Sequence, residues 1–448
     1  MNKTEPDRMR RQFLQEVYRV PLAYITLLEE AEYGLREAFA CIDERVDYNQ
    51  LRLLHCFQRC GITDFHLNGS TGYGYGDAGR EALEAVFAAY FGGEQALVRS
   101  QIISGTHALA LGLYGNLKPG DAMISAAGQP YDTLQRIIGL HGEADSLEDS
   151  LLASGVTYQE IPLKEEGAEG TVDLPRLLDA VNDKTKLILL QRSKGYQWRP
   201  SLSLRELEGV ISALKAKKAD LICLVDNCYC EMTETAEPGD AGADLTIGSL
   251  IKNPGGTLAP CGGYIVGKRS CVEACVRRLY APGLRSDMGA TLDFNRLAFQ
   301  GLSQAPQTVG QSMKGAMLAA EFFHRLGYAV MPPALRTGSD GDILRDRADI
   351  VQAVRLDEEA RLIRFCHGIQ QACPVNAAFL PEPDRLPGYD CPVVMAGGGF
   401  IQGSSSELSA DGPLRPPYIA YLQGGFSLAQ IRLGLLLAAK ALQDELRP

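Results

Sequence analysis

Short apolar runs alternate with amphipathic segments between residues 79 and 267, and no other feature limits the fold of this chain as narrowly. The amphipathic segments carry apolar residues at helical spacing, as in SLRELEGVISALKAKK, whose Ser203 and Glu206 predict a capping box. Short strands that alternate with helices are typical of an α/β domain, in which helices cover both faces of a mostly parallel sheet. The strand candidates are AMIS (122–125), VTYQEI (156–161), KLILLQ (186–191), LICLVD (221–226), DLTIGS (244–249) and GGYIVG (262–267).

The segments on either side of this region have a different pattern. Residues 1–60 mix charged and apolar residues at helical spacing, and long helical patterns run through 290–327. A Pro/Gly-rich mixed region follows and leads to a last helix near 427–445. Because 448 residues exceed what one core usually supports, we predict an N-terminal helical segment at 1–60, a large domain at 61–300 and a smaller α+β domain at 301–448.

The charge balance disfavours two kinds of partner. The net charge of −11 argues against nucleic acid or an anionic membrane surface, and no apolar run approaches the length of a membrane span. The N-terminus has charges but no apolar segment after them, so a cytoplasmic protein is expected. Twelve scattered cysteines form no paired CxxC pattern, which favours buried thiols over the alternative of a disulfide or metal framework. No metal-binding triad is visible.

A phosphate site is predicted at Ser104-Gly105-Thr106, which leads directly into an apolar-faced helix. The start of a helix exposes free N–H donors and the positive end of the helix dipole, and both favour an anion. Gly105 would let the backbone approach a phosphate closely. The alternative is a plain Ser/Thr helix cap without a ligand.

A literal GxGxxG stands at Gly74–Gly79 and raises the possibility of a dinucleotide fold. That motif requires a strand before it and an acidic residue about 20 residues later. The preceding HLNGST is a poor buried strand, and no acid ends the next strand candidate, EQALVRSQ. A dinucleotide site is therefore disfavoured.

Lys252 is the one cation of a long run that is nearly free of charge, GADLTIGSLIKNPGGTLAPCGGYIVG. The alternative for such a residue is a lysine that reaches the surface from a loop. However, a helix-start phosphate site, a strand-end carboxylate at Asp226 and a lysine in an apolar loop are together the parts of a pyridoxal phosphate (PLP) site. PLP needs a neutral amine for covalent attachment and a carboxylate beside its pyridinium nitrogen. Ser249 is close enough in sequence to reach the phosphate as well.

Two of these residues have ordinary alternatives of their own. Asp226 ends the apolar run LICLV, where ligands bind in open α/β sheets, but a turn or helix-cap aspartate fits the same pattern. Tyr131 follows the strand candidate AMIS and could stack on a planar cofactor ring, while a core tyrosine is equally compatible with its spacing.

Eight segments of the chain resemble the methionine gamma-lyase-like or aluminium-resistance family, a distant relative of cystathionine gamma-lyase and the other Cys/Met-metabolism enzymes. The resemblance covers roughly residues 25–445 and implies fold type I (aspartate-aminotransferase-like), usually as a homodimer or homotetramer with active sites at a subunit interface. The matching segments are TGYGYGDAGR (71–80), SGTHAL (104–109), QPYDTL (129–134), QRSKGYQWRPSL (191–202), DNCYCEM (226–232), GADLTIGSLIKNPGGTLAPCGGYIVG (242–267), PEPDRLPGYD (381–390) and SSSELSADGPLRPPYIAYLQGG (404–425).

The resemblance also implies roles for individual residues. Lys252 matches the lysine that binds PLP covalently, and Asp226 matches the partner of the pyridinium nitrogen. Tyr131 matches a ring-stacking tyrosine that can act as acid or base. The phosphate contacts of the family match Ser249, Gly105 and Thr106.

This chain departs from the family pattern at several positions. Relatives use a Tyr-x-Arg pair to reach the neighbouring subunit's phosphate, whereas this chain has Tyr73-Gly-Tyr75 with Arg80 further on. An asparagine that holds the pyridine hydroxyl in relatives is replaced by the segment QRSKGY (191–196). The arginine for the substrate carboxylate corresponds to Arg432, in IRLGLL, and Arg415 is a competing choice.

The function expected from the site and the resemblance together is that of a PLP-dependent carbon–sulfur lyase. Its substrate would be a small sulfur amino acid such as methionine, cystathionine or a cysteine derivative, and its products a thiol, ammonia and a 2-oxo acid. Two alternatives remain open: a PLP-dependent transferase that performs γ-replacement or transamination on the same fold, and a non-catalytic stress or metal-resistance protein that retains PLP.

Overall fold

The computed structural model describes residues 5–141, 147–164, 171–281, 283–334, 344 and 347–443. Three helices form the N-terminal part, six more alternate with the strands of a large sheet, and three accompany a second, smaller sheet. The helices are α1 (Glu5–Glu16), α2 (Leu22–Gly34), α3 (Arg36–Arg59), α4 (Ala78–Phe91), α5 (Gly105–Asn116), α6 (Asp132–Ile138), α7 (Leu174–Ala180), α8 (Leu204–Lys217), α9 (Arg269–Leu279), α10 (Phe294–Arg325), α11 (Glu359–Gln371) and α12 (Leu428–Gln443).

Seven strands form the large sheet, in the order β1-β7-β6-β5-β4-β2-β3. All neighbouring pairs are parallel except those of β7, which runs antiparallel to both β1 and β6. The sheet is therefore mostly parallel, as predicted. Its strands are β1 (Gln95–Arg99), β2 (Ala122–Ser125), β3 (Thr157–Glu160), β4 (Thr185–Gln191), β5 (Ile222–Asp226), β6 (Leu245–Ser249) and β7 (Gly263–Gly267).

The central strands are mostly apolar because both faces of the sheet are covered. Every residue of β5, β6 and β7 is buried. Continuous apolar runs of this kind are typical of a parallel strand with helices on both sides. The edge strand β3 reads TYQE and is largely exposed, which explains why its run was the most polar of the six candidates.

The predicted capping box of α8 forms only in part. The Ser203 hydroxyl accepts a hydrogen bond from the N–H of Glu206, as expected for an N-cap. The carboxylate of Glu206 does not return to the helix start; it accepts the N–H of Val172 at 2.7 Å instead. A neighbouring loop with a free N–H competes successfully for this carboxylate.

A five-stranded antiparallel sheet forms the second layer, in the order β10-β11-β12-β9-β8. α11 and α12 pack against each other beside it, and α10 packs against α3 and the turn after β6 and also contacts β8, β9 and β12. The predicted domain boundary at residue 300 falls inside α10. The strands of this sheet are β8 (Ala329–Met331), β9 (Gln352–Arg355), β10 (Val393–Gly397), β11 (Ser409–Pro413) and β12 (Ile419–Gln423).

The GxGxxG segment is a turn that packs against the chain's own backbone. The residues before it form a 3-10 helix, Asp64–Leu67, and a loop rather than a strand. Gly74 has φ +68°, and a Cβ there would lie 2.7 Å from the backbone nitrogen of Ala290. The glycine is thus required by the approach of the segment around residue 290.

Candidate active site

The phosphate site predicted from sequence lies where α5 begins beside the carboxyl end of β6. A Cβ on Gly105 would lie 3.3 Å from both the Cβ of Ser249 and the Sγ of Cys228, so the helix start packs directly against the strand end. The Ser249 hydroxyl is buried and has no hydrogen-bond partner among the residues that the structure describes. Because a buried unpaired hydroxyl is costly, its position at a helix N-terminus fits an anion that accepts its hydrogen bond.

A helix cap and a phosphate site at the start of α5 are compatible with each other. Ser104 is indeed an N-cap, since its hydroxyl accepts the N–H of His107 at 3.1 Å. Gly105 and Thr106 lie in the first turn of α5, where backbone N–H groups have no partner within the helix. The Thr106 hydroxyl is 2.9 Å from that of Thr133, on α6.

Asp226 is the last residue of β5 and lies at the same edge of the sheet. It is 6% exposed, and its Oδ1 accepts the N–H of Cys228 at 3.1 Å. Burial raises the pKa of this carboxyl to about 6, although the hydrogen bonds from Cys228 and the charge of Arg199 oppose the rise. A buried carboxyl of this kind is stabilised as a carboxylate by a cationic partner such as a ring N–H⁺.

The raised pKa of Asp226 predicts a pH-dependent stability for the cofactor-free protein. An unfolded aspartate titrates near pH 4, so this group favours folding below about pH 4 and loses that contribution as pH rises through about 6. Asp226→Asn removes the titration. We expect the variant to gain about 1 kcal/mol relative to the natural chain between pH 5.0 and 7.5, measured by thermal or urea unfolding. An equal difference between the two chains at both pH values would contradict the raised pKa of this buried carboxyl.

Lys252 lies three residues beyond the end of β6, in the loop that faces the small domain. Its Nζ donates to the carbonyl of Gly403 at 3.0 Å and lies 4.8 Å from the centre of the Tyr229 ring. Its own carbonyl accepts the Ser406 hydroxyl at 3.0 Å. The lysine is therefore held between the two sheets, half-buried, rather than extended into solvent as in the surface alternative.

The glycines that follow Lys252 let its loop pack tightly. A Cβ on Gly255 would lie 1.9 Å from the carbonyl oxygen of Leu250, and one on Gly256 would lie 2.1 Å from that of Gly301, on α10. Gly256 also has φ +52°. These contacts fix the backbone on which Lys252 stands, so the glycines provide close packing rather than freedom of movement.

Tyr131 immediately precedes α6, on the other side of the site. Its backbone N–H donates to Oε1 of Gln191 at 2.8 Å, and its hydroxyl lies 2.6 Å from that of Tyr389. Its ring is 5.4 Å from that of Tyr196. Burial raises the pKa of Tyr131 well above its ordinary value, so the phenol keeps its proton at neutral pH.

The sequence patterns did not single out three further tyrosines and an aspartate near these groups. Tyr229, in the segment DNCYCEM, adopts the left-handed backbone conformation with φ +71°. Tyr196 and Tyr389 reach Tyr131 from remote loops, and Asp411 comes from β11 of the small sheet. Short polar segments in the C-terminal half carried no spacing signal that would have distinguished Asp411 from a solvent-exposed strand residue.

The two candidate arginines are far apart in the fold. Arg415 lines the same small cavity as Tyr131, and its Nη1 lies 3.8 Å from Oδ1 of Asp132. Arg432 lines a different, mostly apolar cavity between α1, α2 and α12, where its Nε donates to Glu32 at 2.8 Å. The structure therefore brings Arg415, and not Arg432, to the residues predicted for the site.

Within a single chain, Tyr73 lies on the surface and not among the groups described for Lys252, Asp226 and Tyr131. Tyr73 and Tyr75 are 69% and 65% exposed, and their ring centres are 5.6 Å apart. Arg80 is buried beneath their loop and donates to the carbonyls of Gly74, Asp287 and Gly289 at 2.8–2.9 Å. Because these carbonyls occupy its guanidinium, Arg80 holds the loop in shape.

The structure also bears on the cysteines, on metal binding and on membrane-spanning helices. All twelve cysteines carry free thiols, and each is buried or half-buried. Among the described residues, no cluster of three or more His, Cys, Asp or Glu side chains is arranged to hold a metal ion. No helix in that part of the chain is both long enough and apolar enough to cross a membrane.

The strand order, the antiparallel β7, and a lysine after β6 beside a strand-end aspartate define the class as fold type I of the PLP-dependent enzymes. The sequence profile described as methionine gamma-lyase matches residues 24–443. The chain belongs to this family.

Known proteins of high similarity agree with the assignment. Protein YnbB of Bacillus subtilis (strain 168) is 44% identical over 420 residues, which are 93% of this chain and 96% of YnbB. The carbon–sulfur lyase involved in aluminium resistance from Clostridium novyi NT is 39% identical and superposes with a TM-score of 0.89, over 98% of this chain and 99% of its own. A proposed cystathionine beta-lyase involved in aluminium resistance from Clostridium acetobutylicum is also 39% identical, with a TM-score of 0.89, over 98% and 100% of the two chains.

Proposed function

We propose that this protein is a PLP-dependent carbon–sulfur lyase that cleaves a sulfur amino acid into a thiol, ammonia and a 2-oxo acid. The observation that carries the proposal is the meeting of three groups at one sheet edge: Lys252 after β6, Asp226 at the end of β5, and the unpaired hydroxyl of Ser249 beside the start of α5. The names of similar solved structures, a carbon–sulfur lyase and a proposed cystathionine beta-lyase, support the same reaction class.

The residues of the chain fit PLP at each end of the site. The first-turn N–H groups of α5 and the Ser249 hydroxyl would hold a phosphate, and Asp226 would accept a hydrogen bond from a protonated ring nitrogen. Lys252 Nζ would bind the aldehyde carbon covalently, and Tyr131 would face the ring. When bound, PLP supplies an electron sink that stabilises negative charge at the substrate α-carbon.

Two side chains of the site are placed to move protons. Lys252 Nζ, once it is released by the substrate amine, would take the α-proton. Tyr131 keeps its phenolic proton at neutral pH, because burial raises its pKa, so its hydroxyl would carry a proton for the departing sulfur. The 2.6 Å contact with the hydroxyl of Tyr389 offers a second phenol from which Tyr131 can regain its proton.

An assay for both products tests the proposed reaction. Purified protein is incubated separately with methionine, cystathionine and cysteine, and thiol and 2-oxo acid are measured together. We expect both products, in equal amounts, from at least one of them without added acceptor. An absolute requirement for a 2-oxo acid or a second nucleophile would point to a transferase instead, and PLP-bound protein that is inert toward all three would contradict the lyase proposal.

Substitution of the two candidate arginines discriminates between them. Loss of a charge-assisted contact to a substrate carboxylate costs about 1.5–3 kcal/mol, so we expect Arg415→Ala to raise KM about 10- to 100-fold. Arg432→Ala removes the partner of Glu32 in another cavity and should leave KM nearly unchanged. Steady-state kinetics on both variants provide the measurement, and the opposite order of effects would restore Arg432 as the carboxylate-binding residue.

We also propose that the active enzyme is a homodimer or a dimer of dimers. The exposed pair Tyr73 and Tyr75 supports this, because large aromatic side chains that protrude together from a rigid loop are typical of an interface. In such a dimer, Tyr73 would reach the phosphate site of the other subunit. Light scattering that gave the mass of a monomer under assay conditions would contradict the proposal.

A further inference from the structure

A carboxylate from the small domain, Asp411, interacts electrostatically with Lys252. Asp411 lies in β11, directly across from Tyr421 in β12. Residues opposite each other in an antiparallel pair point to the same face of the sheet, and the ring of Tyr421 lies 5.1 Å from that of Tyr196. Asp411 is half-buried, and its Oδ2 accepts a hydrogen bond from Nε2 of Gln423 at 3.1 Å.

Four tyrosines interact electrostatically with this carboxylate. The rings of Tyr131, Tyr196 and Tyr389 lie within 5.4–6.1 Å of one another. Tyr229 presents its ring to Lys252 Nζ at 4.8 Å, a distance at which a cation is attracted to the aromatic face. We call these four rings and Asp411 the tyrosine–Asp411 cluster. Its rings and its carboxylate are all groups that attract positive charge.

The electrostatic balance of the cluster depends on Lys252. Burial raises the pKa of Asp411 to about 6, and the ammonium of Lys252 opposes that rise. The Asp411 charge in turn helps to raise the pKa values of Tyr131, Tyr196, Tyr229 and Tyr389, which places all four within its electrostatic reach. If Lys252 is covalently attached to a cofactor, as the proposed function requires, its amine no longer supplies a free ammonium group to this cluster.

We propose that the tyrosine–Asp411 cluster binds an ammonium group on the sulfur-side half of the substrate. The enzyme would then select thioether amino acids that carry a second amino group over methionine, whose sulfur bears only a methyl group. The carboxylate would supply charge to such a group, and the aromatic faces would add cation–π attraction. This inference rests on the proposed function for the position of the substrate, and it adds the residue that determines which thioether is accepted.

Binding of two unreactive thioethers tests the inference without any turnover. The probes are 3-(2-aminoethylthio)propanoate and its neutral counterpart 3-(2-hydroxyethylthio)propanoate, neither of which has an α-amino group. Isothermal titration of the PLP-loaded protein should show at least about 10-fold tighter binding of the ammonium probe, since a charge-assisted contact contributes roughly that factor or more. Equal affinity for the two probes would overturn the inference, and this comparison needs no variant.

Substitution of Asp411 then tests whether this residue causes the preference for the ammonium probe. Asp411→Asn keeps the shape of the side chain, and we expect it to abolish the preference for the ammonium probe while leaving the affinity for the neutral probe unchanged. Asp357→Asn, at an exposed position of the same domain, serves as the control and should keep the preference. An Asp411→Asn protein that still prefers the ammonium probe 10-fold would overturn the assignment to Asp411.

Kinetics separate this inference from the proposed function. Asp411→Asn should lower kcat/KM for cystathionine at least about 10-fold more than it lowers kcat/KM for methionine. If the natural protein cleaves neither substrate yet prefers the ammonium probe, the lyase proposal fails and the ammonium site stands. If it cleaves both while binding the two probes equally, the lyase proposal stands and the ammonium site is refuted.

Discussion

Lys252→Ala is expected to remove covalently bound cofactor and to lower the rate of product formation by at least about 10³-fold. The lysine is the candidate for both covalent attachment and proton abstraction, and the loss of a group that acts as general base alone costs about 10²–10⁴. Its Nζ is positioned by Gly403 and by the face of Tyr229, and a methyl group in its place could neither bind an aldehyde nor accept a proton.

Absorption spectra and intact masses measure this effect. The natural protein should show a visible cofactor band that borohydride bleaches, with the mass of the reduced cofactor added to the chain. Lys252→Ala should show no added mass after the same treatment. Lys184→Ala, which changes an exposed lysine, is the matched control and should behave like the natural chain. A natural protein with no borohydride-sensitive band would remove the basis of the cofactor assignment.

Lys194→Met is expected to destabilise the fold by about 3–5 kcal/mol, because it leaves the carboxylate of Asp349 buried without its cation. Lys194 is fully buried, and its Nζ donates to both oxygens of Asp349 at 2.8–2.9 Å and to the carbonyl of Val351 at 2.9 Å. Burial lowers the pKa of Lys194, and the neighbouring Asp349 opposes that effect. The pair joins the loop after β4 to the segment before β9, so it links the large and small sheets.

The midpoint of thermal unfolding measures the loss, and two further variants define its origin. Arg355→Ala breaks an ion pair with Asp357 in which both side chains are about half exposed, and it should change stability by less than about 1 kcal/mol. The double variant Lys194→Met with Asp349→Leu should recover most of the loss, because neither charge of this pair then remains buried without the other. A Lys194→Met protein as stable as Arg355→Ala would show that water reaches this pair.

The strands of the large sheet were the most predictable part of the structure. Each of the six apolar runs became a strand within one residue of its predicted ends, from AMIS at β2 to GGYIVG at β7. The strand prediction succeeded because a strand covered on both faces is mostly apolar, and this produces a run of consecutive apolar residues in the sequence. No local residue pattern indicates the antiparallel direction of β7, since strand direction depends on the path of the connecting segments.

The candidate site divides in the same way. Lys252, Asp226, Ser249 and Gly105 were predicted because each stands at or shortly after the end of a strand, or at the start of a helix, and such ends meet at one edge of a parallel sheet. Arg432, in the last helix, turns toward α2 and pairs with Glu32, away from the other predicted site residues. Which of the two arginines binds the substrate carboxylate stays a prediction. Which face of a helix meets which neighbour depends on packing between segments 400 residues apart in the chain.

The amino-acid sequence by itself determined the covered parallel sheet, the isolated lysine and the strand-end aspartate, because burial and local backbone geometry leave patterns in neighbouring residues. Only the tertiary structure decided that Arg415 rather than Arg432 lines the cavity of Tyr131, and that Asp411 interacts electrostatically with Lys252. These groups come from loops and strands far apart in sequence. Their meeting is set by the packing of the small sheet against the large one, and no local spacing records it.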